Sequence, residues 1–498
     1  KKKYADVEEE IIALKAKCDQ LQQDHYICDG RIQTLHPLFC WHGFRYFETE
    51  GSCEVLWAEV IHTDVAGTSG FSCSDPVLNW LYEAYIRTQL DNYHGCIPSD
   101  CPHRERLGYT GDGQLTAETA MLLLDAKELY RKWYQDILDS QGAETGHIPH
   151  TAPFLGGGGG PGGWGCAVYQ VPLAWAKIYG DDSLLVQGYD AILRWFDYMD
   201  AHSEKGLVVR EEEGGWCLGD WCFPASEEKE QLPEAFINTF YYLHGLQEMM
   251  QISEKMNNKL PIRFAEREKN VKNAFLDAYF DPETGDFCEG RAAGNAYGLA
   301  LGLGDERTKK HLVEKYEALG RFDTGIFGTS MLLEQLFSIG AGDLAVRLLT
   351  NDSEAASFAH MKRNGATTLW ERWDGRESHN HPMFGACVRL LFTQILGIRM
   401  TPSAQPPVVN PAQPDVTAPP AQALKPLNGE LQPPAVPGAA QHFSYEIRLS
   451  SQRQLTWAKG SIQTPDGILS VSWELLENGE KQVEWSLAPA GEDKVPTM

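Results

Sequence analysis

Apolar residues recur with a period of about 3.6 from residue 76 to residue 396, and this helical period constrains the fold more than any other feature of the sequence. It begins after Ser74, Asp75 and Pro76, where a capping side chain precedes a proline suited to a first helical turn. Twelve helices paired antiparallel would form a double ring of six pairs, with long loops meeting at one end as a cleft. The predicted helices span residues 76–92, 113–127, 129–139, 167–180, 183–203, 232–254, 262–280, 290–303, 306–319, 327–339, 340–350 and 382–396.

The segments on either side of this helical region follow other patterns. Residues 4–21 carry apolar side chains at alternating spacings of three and four, which predicts one amphipathic helix. Residues 24–64 contain short strand-like runs separated by glycines, which predicts the end of a β-sandwich. Residues 401–442 are rich in proline and indicate a linker, and residues 443–498 alternate again, which predicts a small antiparallel β-domain.

Composition excludes several classes of partner. The chain has 43 Lys and Arg against 69 Asp and Glu, a formal net charge of −26, which disfavours nucleic acid and anionic membrane surfaces as partners. It has no run of about 18 apolar residues, so we expect no membrane span. The 12 cysteines form no CxxC pair and no zinc-type spacing, so we expect free thiols and a cytoplasmic protein. The sequence leaves a homodimer open.

Residues 99–112 form the most unusual stretch, because three carboxylates and two arginines surround a proline, two glycines and a tyrosine. The proline and glycines interrupt any regular period, which predicts a loop, and loops commonly carry function. Later loops join carboxylates, histidines or tryptophans to glycines, and a ring of helices would gather them at one end. Glu105 and Glu371 would then share an aromatic pocket, the arrangement that glycoside hydrolysis requires. Taken singly, each motif also fits a charged surface turn or an ion-paired helix end.

Metal and phosphate sites are disfavoured by the same loops. His147 with His150, or His379 with His381, has no acidic or cysteine partner at a spacing typical of a metal site. The glycine run at 156–160 is not followed by the Gly-Lys-Ser/Thr of a phosphate-binding loop. The 14 tryptophans and 19 tyrosines instead favour a neutral ligand with flat faces, such as a sugar, although many of them would simply fill the core.

Three motifs in the same order give the sequence a family resemblance. They are residues 100–112, the Thr-Thr-Leu-Trp-Glu-Arg-Trp-Asp-Gly of residues 367–375, and Asn380 with His381. In these motifs the chain resembles glycoside hydrolase family 78, the bacterial α-L-rhamnosidases. The resemblance covers about residues 24–498 and implies a mainly α fold. An (α/α)6 barrel over residues 65–400 would be the catalytic domain, with the β-sandwich remnant before it and the β-domain after it.

The resemblance also implies a chemistry. It implies an inverting exo-hydrolase that removes terminal α-L-rhamnose with no catalytic metal and no organic cofactor, on a rhamnose-containing glycoside or oligosaccharide. Glu105 would be the general acid and Glu371 the general base, roughly 6.5–9.5 Å apart to admit a water molecule. The substrate-binding residues that it implies are Asp100, Arg104, Tyr109, Asp112, Trp164, Trp216, Trp221 and His381.

Two departures from the family pattern leave alternatives open. Tyr109 stands where the family usually has tryptophan, and the segment between Glu371 and His381 is shorter than in many members. A related (α/α)6 glycosidase for a different sugar is therefore one alternative, because a fold fixes a site better than a substrate. A catalytically silent carbohydrate-binding protein is another, although retention of all four loop carboxylates favours an enzyme.

Overall fold

The computed structural model describes residues 22–51, 53–155, 160–209, 217–224, 229–255, 262–352, 356–403 and 442–489. The helix expected at 4–21 and most of the linker expected at 401–442 lie outside these residues. The described part is mainly helical, as the period predicts. Its α-helices are α1 Pro76–Asp91, α2 Thr110–Leu123, α3 Lys127–Ser140, α4 Ala167–Tyr179, α5 Ser183–Ala201, α6 Glu234–Lys255, α7 Ile262–Tyr279, α8 Gly294–Ala300, α9 Glu306–Leu319, α10 Ile326–Ser338, α11 Gly342–Thr350 and α12 Phe358–Arg363.

Local sequence signals set several helix ends. The Asp75 carboxylate accepts hydrogen bonds from the backbone N–H groups of Val77 at 2.7 Å and Leu78 at 3.2 Å, so α1 begins at the expected cap. Helix α9 begins with a capping box between Asp305 and Thr308. It ends at Gly320, whose φ of 65° is a left-handed conformation that glycine adopts without strain.

The last predicted helix, at 382–396, is not a continuous α-helix. It consists of a 3-10 helix over Met383–Val388 and a π-helical turn over Leu391–Ile395. The carbonyl oxygen of Ala386 accepts hydrogen bonds from Thr119 Oγ1 at 2.7 Å and from Arg389 Nη1 at 2.6 Å. Side chains thus satisfy a carbonyl that an α-helix would pair with its own backbone. Helix α12 was not predicted, because six residues are too few for a visible period.

Alternate helices pack side by side around a common centre. Helix α2 contacts α4 on one side and the 3-10 helix Met383–Val388 on the other, and α10 contacts that 3-10 helix and α8. The Tyr169 hydroxyl of α4 donates to the Tyr241 carbonyl oxygen of α6 at 3.0 Å, and Phe240 of α6 meets Tyr297 of α8 edge to face. These contacts form a closed cycle. Among the described residues, none of the helices combines the length and apolar character that crossing a bilayer requires.

The strands form one four-stranded sheet and four two-stranded ribbons. The four-stranded sheet is antiparallel, in the order β1 (Ser69–Cys73), β10 (Trp457–Thr464), β11 (Gly467–Leu475) and β12 (Lys481–Ala488). Phe71 in β1 lies opposite Gly460 in β10. The sheet therefore includes a strand that precedes α1, across the expected boundary between helical and β-domains. The strands are β1 Ser69–Cys73, β2 Tyr93–His94, β3 Ile97–Pro98, β4 Ser203–Glu204, β5 Leu207–Val208, β6 Phe280–Asp281, β7 Asp286–Phe287, β8 Ile398–Ser403, β9 His442–Ile447, β10 Trp457–Thr464, β11 Gly467–Leu475 and β12 Lys481–Ala488.

The described residues between 22 and 66 contain no strand, unlike the expectation for 24–64. Most of their side chains are exposed, including those of Ile27, Ile32 and Phe39. A strand needs a neighbour that pairs along its length, whereas this segment makes isolated contacts, such as that of the Thr63 N–H with the Tyr93 carbonyl oxygen at 2.6 Å. That the segment is the end of a β-sandwich stays a prediction.

Candidate active site

The first loop of the site, residues 99–109, is fixed by hydrogen bonds to its own backbone. The Asp100 N–H donates to the Leu107 carbonyl oxygen at 3.1 Å, and the Leu107 N–H donates back to Asp100 Oδ1 at 2.9 Å. Arg106 between them has a φ of 57°. Gly108 is pressed against residue 152, because a Cβ there would lie 2.3 Å from the Ala152 carbonyl oxygen. The expected loop is thus closed and rigid, and it delivers the chain to the start of α2.

The second loop, residues 369–381, is a turn that folds back on itself. The Glu371 N–H donates to the Ser378 carbonyl oxygen at 2.9 Å, and the Ser378 N–H donates to Glu371 Oε2 at 3.1 Å. The His381 N–H donates to the Leu369 carbonyl oxygen at 2.9 Å. The Trp370 indole stacks on the His379 ring at 4.6 Å between centroids, which covers the outer side of the turn. Glu371 is thereby held buried, with 5% of its surface exposed.

Arg104 joins the two loops. Its Nη2 lies 2.9 Å from Glu105 Oε1 and 3.0 Å from Glu371 Oε2. The two carboxylates predicted to be catalytic are therefore brought together although 265 positions separate them in the sequence. These two contacts set an upper limit on the distance between Glu105 Oε1 and Glu371 Oε2. The inverting outcome stays a prediction.

His381 lies between two carboxylates in the buried part of the site. Its Nε2 is 3.0 Å from Asp112 Oδ1, and its Nδ1 is 3.7 Å from Glu371 Oε2. Burial lowers the pKa of His381, but Asp112 and Glu371 outweigh burial and raise that pKa to about 9. Burial likewise raises the pKa of Glu371, but His381 and Arg104 outweigh it and hold this pKa below its ordinary value. At neutral pH the imidazolium therefore faces an ionised Glu371.

Asp100 and Tyr109 complete the first loop's side of the site. Burial raises the pKa of Asp100 to about 7, and the neighbouring Asp112 and Glu105 act in the same direction against His381. The Tyr109 hydroxyl donates to Glu105 Oε2 at 2.5 Å. Burial, followed by Glu105, raises the pKa of Tyr109, so the hydroxyl stays a donor. The group that distinguishes Tyr109 from the tryptophan usual in the family is thus bonded to the predicted acid.

The predicted tryptophans differ in their positions. Trp164 is buried beneath the start of α2, because a Cβ on Gly111 would lie 2.5 Å from its ring. Trp221 lies beside the second loop, where the Arg372 guanidinium is 5.3 Å from the centre of its ring. Trp216 lies outside the described residues. The predicted site residues that the structure describes thus lie in, or pack against, the two loops and the first turn of α2.

Sequence reasoning missed Glu377 and His103. Glu377 Oε2 lies 3.0 Å from Arg104 Nη1, so a third carboxylate contacts the same guanidinium. Burial, followed by the charge of Arg104, lowers the pKa of His103 to about 4, which keeps that ring neutral. The composition of the loops gave no reason to single out Glu377 among their charged residues. Only the folded backbone, with a φ of 67° at Glu377, brings its carboxylate to Arg104.

The donor chemistry of the site does not fit a metal ion. Asp100, Cys101 and His381 each offer an atom within a 4.8 Å group. Metal ligands must be deprotonated. The Cys101 thiol instead donates to Asp100 Oδ2 at 2.9 Å, and burial raises its pKa. His381 carries a proton at neutral pH and lies 3.0 Å from Asp112, so neither the thiol nor the imidazole is in the form that binds a metal.

A closed cycle of paired helices whose loops bring two carboxylates to one arginine defines the class of six-hairpin glycosidases. Comparison with known proteins is specific within that class. The chain belongs to the bacterial α-L-rhamnosidase family: residues 66–395 match the family model described as the bacterial alpha-L-rhamnosidase 6 hairpin glycosidase domain. Residues 9–67 match the concanavalin-like domain of the same proteins. The resemblance to glycoside hydrolase family 78 is thereby confirmed.

Curated relatives and solved structures agree with this family. The chain is 29% identical over 404 residues to an α-L-rhamnosidase of Streptomyces avermitilis, covering 75% of this chain and 37% of the relative. It is 26% identical over 485 residues to an α-L-rhamnosidase of an Alteromonas species, covering 91% of this chain and 48% of the relative. The chain thus spans less than half the length of these relatives.

Two solved structures share the fold. The crystal structure of the Streptomyces avermitilis α-L-rhamnosidase complexed with L-rhamnose matches with a TM-score of 0.70 and 25% identity, over 86% of this chain and 38% of that one. The Aspergillus terreus α-L-rhamnosidase matches with a TM-score of 0.70 and 22% identity, over 88% of this chain and 52% of that one.

Proposed function

We propose that this chain is an α-L-rhamnosidase that removes terminal, non-reducing α-L-rhamnose from glycosides or polysaccharides by single displacement with inversion. The observation that carries the proposal is the shared contact of Glu105 and Glu371 with Arg104 Nη2, at 2.9 and 3.0 Å. Two carboxylates held beside one another are what acid-base hydrolysis of a glycosidic bond requires. Family membership, and the L-rhamnose bound in the Streptomyces avermitilis structure, support rhamnose as the sugar.

Glu371 is the general base in this proposal. A base must be ionised before it can take a proton from water, and His381 and Arg104 hold the pKa of Glu371 down despite burial. The Ser378 N–H at 3.1 Å orients the carboxylate, so one of its oxygens is fixed. Glu371 then removes a proton from the water that attacks the anomeric carbon.

Glu105 is the general acid. Its side chain is 31% exposed, whereas that of Glu371 is 6% exposed, so Glu105 is the more accessible to a departing aglycone oxygen. Arg104 and Tyr109 each hold one of its oxygens and fix its direction. Glu105 protonates the glycosidic oxygen as the bond to the anomeric carbon breaks.

The remaining residues of the site bind the sugar. In this proposal Asp100 and Asp112 hold rhamnose hydroxyls, and aromatic faces pack on the ring. Arg104 orients both carboxylates, and His381 keeps Glu371 ionised. The substrate-binding set is Asp100, Arg104, Tyr109, Asp112, Trp164, Trp216, Trp221 and His381.

We further propose a complete (α/α)6 barrel as the catalytic domain, followed by an antiparallel β-domain. The cycle of contacts through α2, α4, α6, α8 and α10 supports the barrel. The strands β9 to β12 support the β-domain. A cytoplasmic location and a homodimer stay predictions.

The test is hydrolysis of p-nitrophenyl α-L-rhamnopyranoside and of an alkyl α-L-rhamnoside, beside p-nitrophenyl glycosides of other sugars. Glu371→Gln is expected to lower kcat on both rhamnosides by about 10²–10⁴-fold, because water loses its base. Glu105→Gln is expected to lower kcat strongly on the alkyl rhamnoside and much less on the p-nitrophenyl one, whose leaving group needs little protonation. Proton NMR of the first product should show β-L-rhamnose.

A matched control is Glu317→Gln, which removes a half-exposed carboxylate paired with Arg347 far from the two loops in sequence. It is expected to leave kcat unchanged. First-formed α-L-rhamnose would refute inversion. Cleavage of another sugar alone would favour a related glycosidase, and rhamnose binding without turnover would favour a binding protein.

A further inference from the structure

The Arg104 guanidinium contacts three carboxylates, of which only two belong to the proposed acid-base pair. Its Nη2 contacts Glu105 and Glu371, whereas its Nη1 donates to Glu377 Oε2 at 3.0 Å. Arg104 Nε is buried and has no hydrogen-bond partner among the described residues. The orientation of the guanidinium plane therefore depends on Nη1 and Nη2. Without Glu377, nothing among the described polar contacts holds Nη1.

Glu377 adopts a backbone conformation that a non-glycine residue rarely takes. Its φ is 67°, in the left-handed region where a Cβ is crowded. The next residue, Ser378, turns its N–H onto Glu371 Oε2 at 3.1 Å. The same turn of the backbone thus brings the Glu377 carboxylate to Arg104 Nη1 and the Ser378 N–H to Glu371. Strained backbone of this kind concentrates at functional sites.

Glu377 is also an ionic partner of Arg104. The Arg104 guanidinium contacts Glu105 and Glu371 through Nη2, and the Glu377 carboxylate contacts its Nη1. The groups whose charges act most strongly on Arg104 are Glu371, Cys101, Glu105 and Asp100.

We propose that Glu377 is a positioning residue, which holds Arg104 by Nη1 so that Nη2 lies between the acid and the base. Glu377 itself is half-exposed and does not take part in proton transfer. The inference rests on the proposed function, because it assigns a role within that site.

The kinetic test compares Glu377→Gln with wild type and with Glu317→Gln, a charge-matched control in another surface ion pair. On p-nitrophenyl α-L-rhamnopyranoside, Glu377→Gln is expected to lower kcat about tenfold, with less effect on KM, because the two carboxylates lose their fixed geometry. Glu377→Asp keeps a carboxylate that can contact Arg104, so it should recover part of the wild-type kcat.

The second readout does not depend on turnover. NMR of the Arg104 guanidinium should show separate, slowly exchanging Nη1 and Nη2 signals in the wild type and faster rotation in Glu377→Gln. Unchanged Arg104 signals would overturn the inference, as would a Glu377→Gln enzyme with the wild-type kcat. A lower kcat that Glu377→Asp does not recover, together with a lowered thermal midpoint, would show a merely structural role and would also overturn it. A wild-type protein that cleaves no rhamnoside would refute the proposed function, and the Arg104 signals would still decide the inference.

Discussion

At the scale of the residue, the site brings several carboxylates of like charge close together. Asp100, Asp112 and Glu371 are buried within two loops and one helix turn, and each carboxylate loses hydration there. His381 supplies a buried positive charge, and Arg104 supplies a second, partly exposed one. Asp100 avoids part of the cost of burying a charge, because its pKa of about 7 lets the carboxyl group stay protonated at the lower end of the neutral range.

His381→Asn should shift the pH dependence of activity. His381 is the largest of the groups that lower the pKa of Glu371, so its removal should raise that pKa and move the acid limb of kcat about one unit to higher pH. Rate profiles on p-nitrophenyl α-L-rhamnopyranoside would measure the shift. An acid limb that does not move would show that His381 does not act on the base.

The same variant should lose stability in a pH-dependent way. The pKa of His381 in the folded protein, about 9, lies above its unfolded value of about 6.5. Its stabilisation is therefore fully present below about pH 6.5 and is lost as pH rises through about 9. The difference in thermal midpoint between wild type and His381→Asn should be largest at low pH and shrink towards pH 9.

At the scale of the element, helix α2 packs against two tryptophans and also carries Asp112 into the candidate site. Its first two turns contain Gly111 and Gly113, which let two indoles lie directly on the helix backbone. A Cβ at Gly113 would lie 2.2 Å from the Trp133 ring, and one at Gly111 would lie 2.5 Å from Trp164. The helix can carry Asp112 into the site at its first turn because these two faces are free of side chains.

Gly113→Ala tests this packing. The Trp133 indole cannot move aside easily, because its Nε1–H donates to the Ala152 carbonyl oxygen at 2.9 Å. The overpacking is expected to cost about 1–3 kcal/mol, against a gain in helix propensity of about 1 kcal/mol, so the net effect is destabilising. Urea denaturation would measure the free energy of unfolding, and kcat should fall as Asp112 shifts.

Gly67→Ala is the matched control, because a Cβ there would meet no atom within 4 Å. It is expected to change the free energy of unfolding by less than about 0.5 kcal/mol. Equal stability of the two variants would contradict the close packing of α2 on Trp133.

At the scale of the whole molecule, the C-terminal strands are part of the body of the protein. Strand β1, which precedes α1, is an edge of their sheet. Trp473 of β11 is fully buried, and its Nε1–H donates to the Ile395 carbonyl oxygen at the end of the helical region, at 2.8 Å. The buried apolar side chains of the helices and of this sheet form one continuous core.

Trp473→Ala should therefore destabilise the helical part as well as the sheet. Truncation of a buried tryptophan is expected to cost about 3–5 kcal/mol. Activity and tryptophan fluorescence should be lost together at a lower urea concentration than in wild type. Trp457→Phe on β10, where the side chain is about one-third exposed, is the control and should behave like wild type. A variant that loses only the sheet and keeps activity would contradict the shared core.

The sequence by itself determined most of the helices and the two loops that form the candidate site. The spacing of apolar residues over ten or more positions is a local property of the sequence. The bounds of α1, α5 and α9 were therefore close to those predicted. The loop motifs identified Glu105, Glu371 and Arg104 because unusual residue types cluster there. The sequence failed to predict features that depend on residues far away in the chain. Strand β1 pairs with a strand almost 390 positions later. The Ala386 carbonyl oxygen accepts hydrogen bonds from the side chains of Thr119 and Arg389, and the predicted helix is not a continuous α-helix there.

Tertiary structure decided how those residues interact. Arg104 contacts Glu371 and Glu377, and His381 contacts Asp112, across chain segments about 270 residues apart. Charge interactions fall off over a few ångströms and change with burial. The strength of each charge interaction depends on the distance between the groups and on their burial in the folded protein. Local sequence patterns encode neither the distance nor the burial.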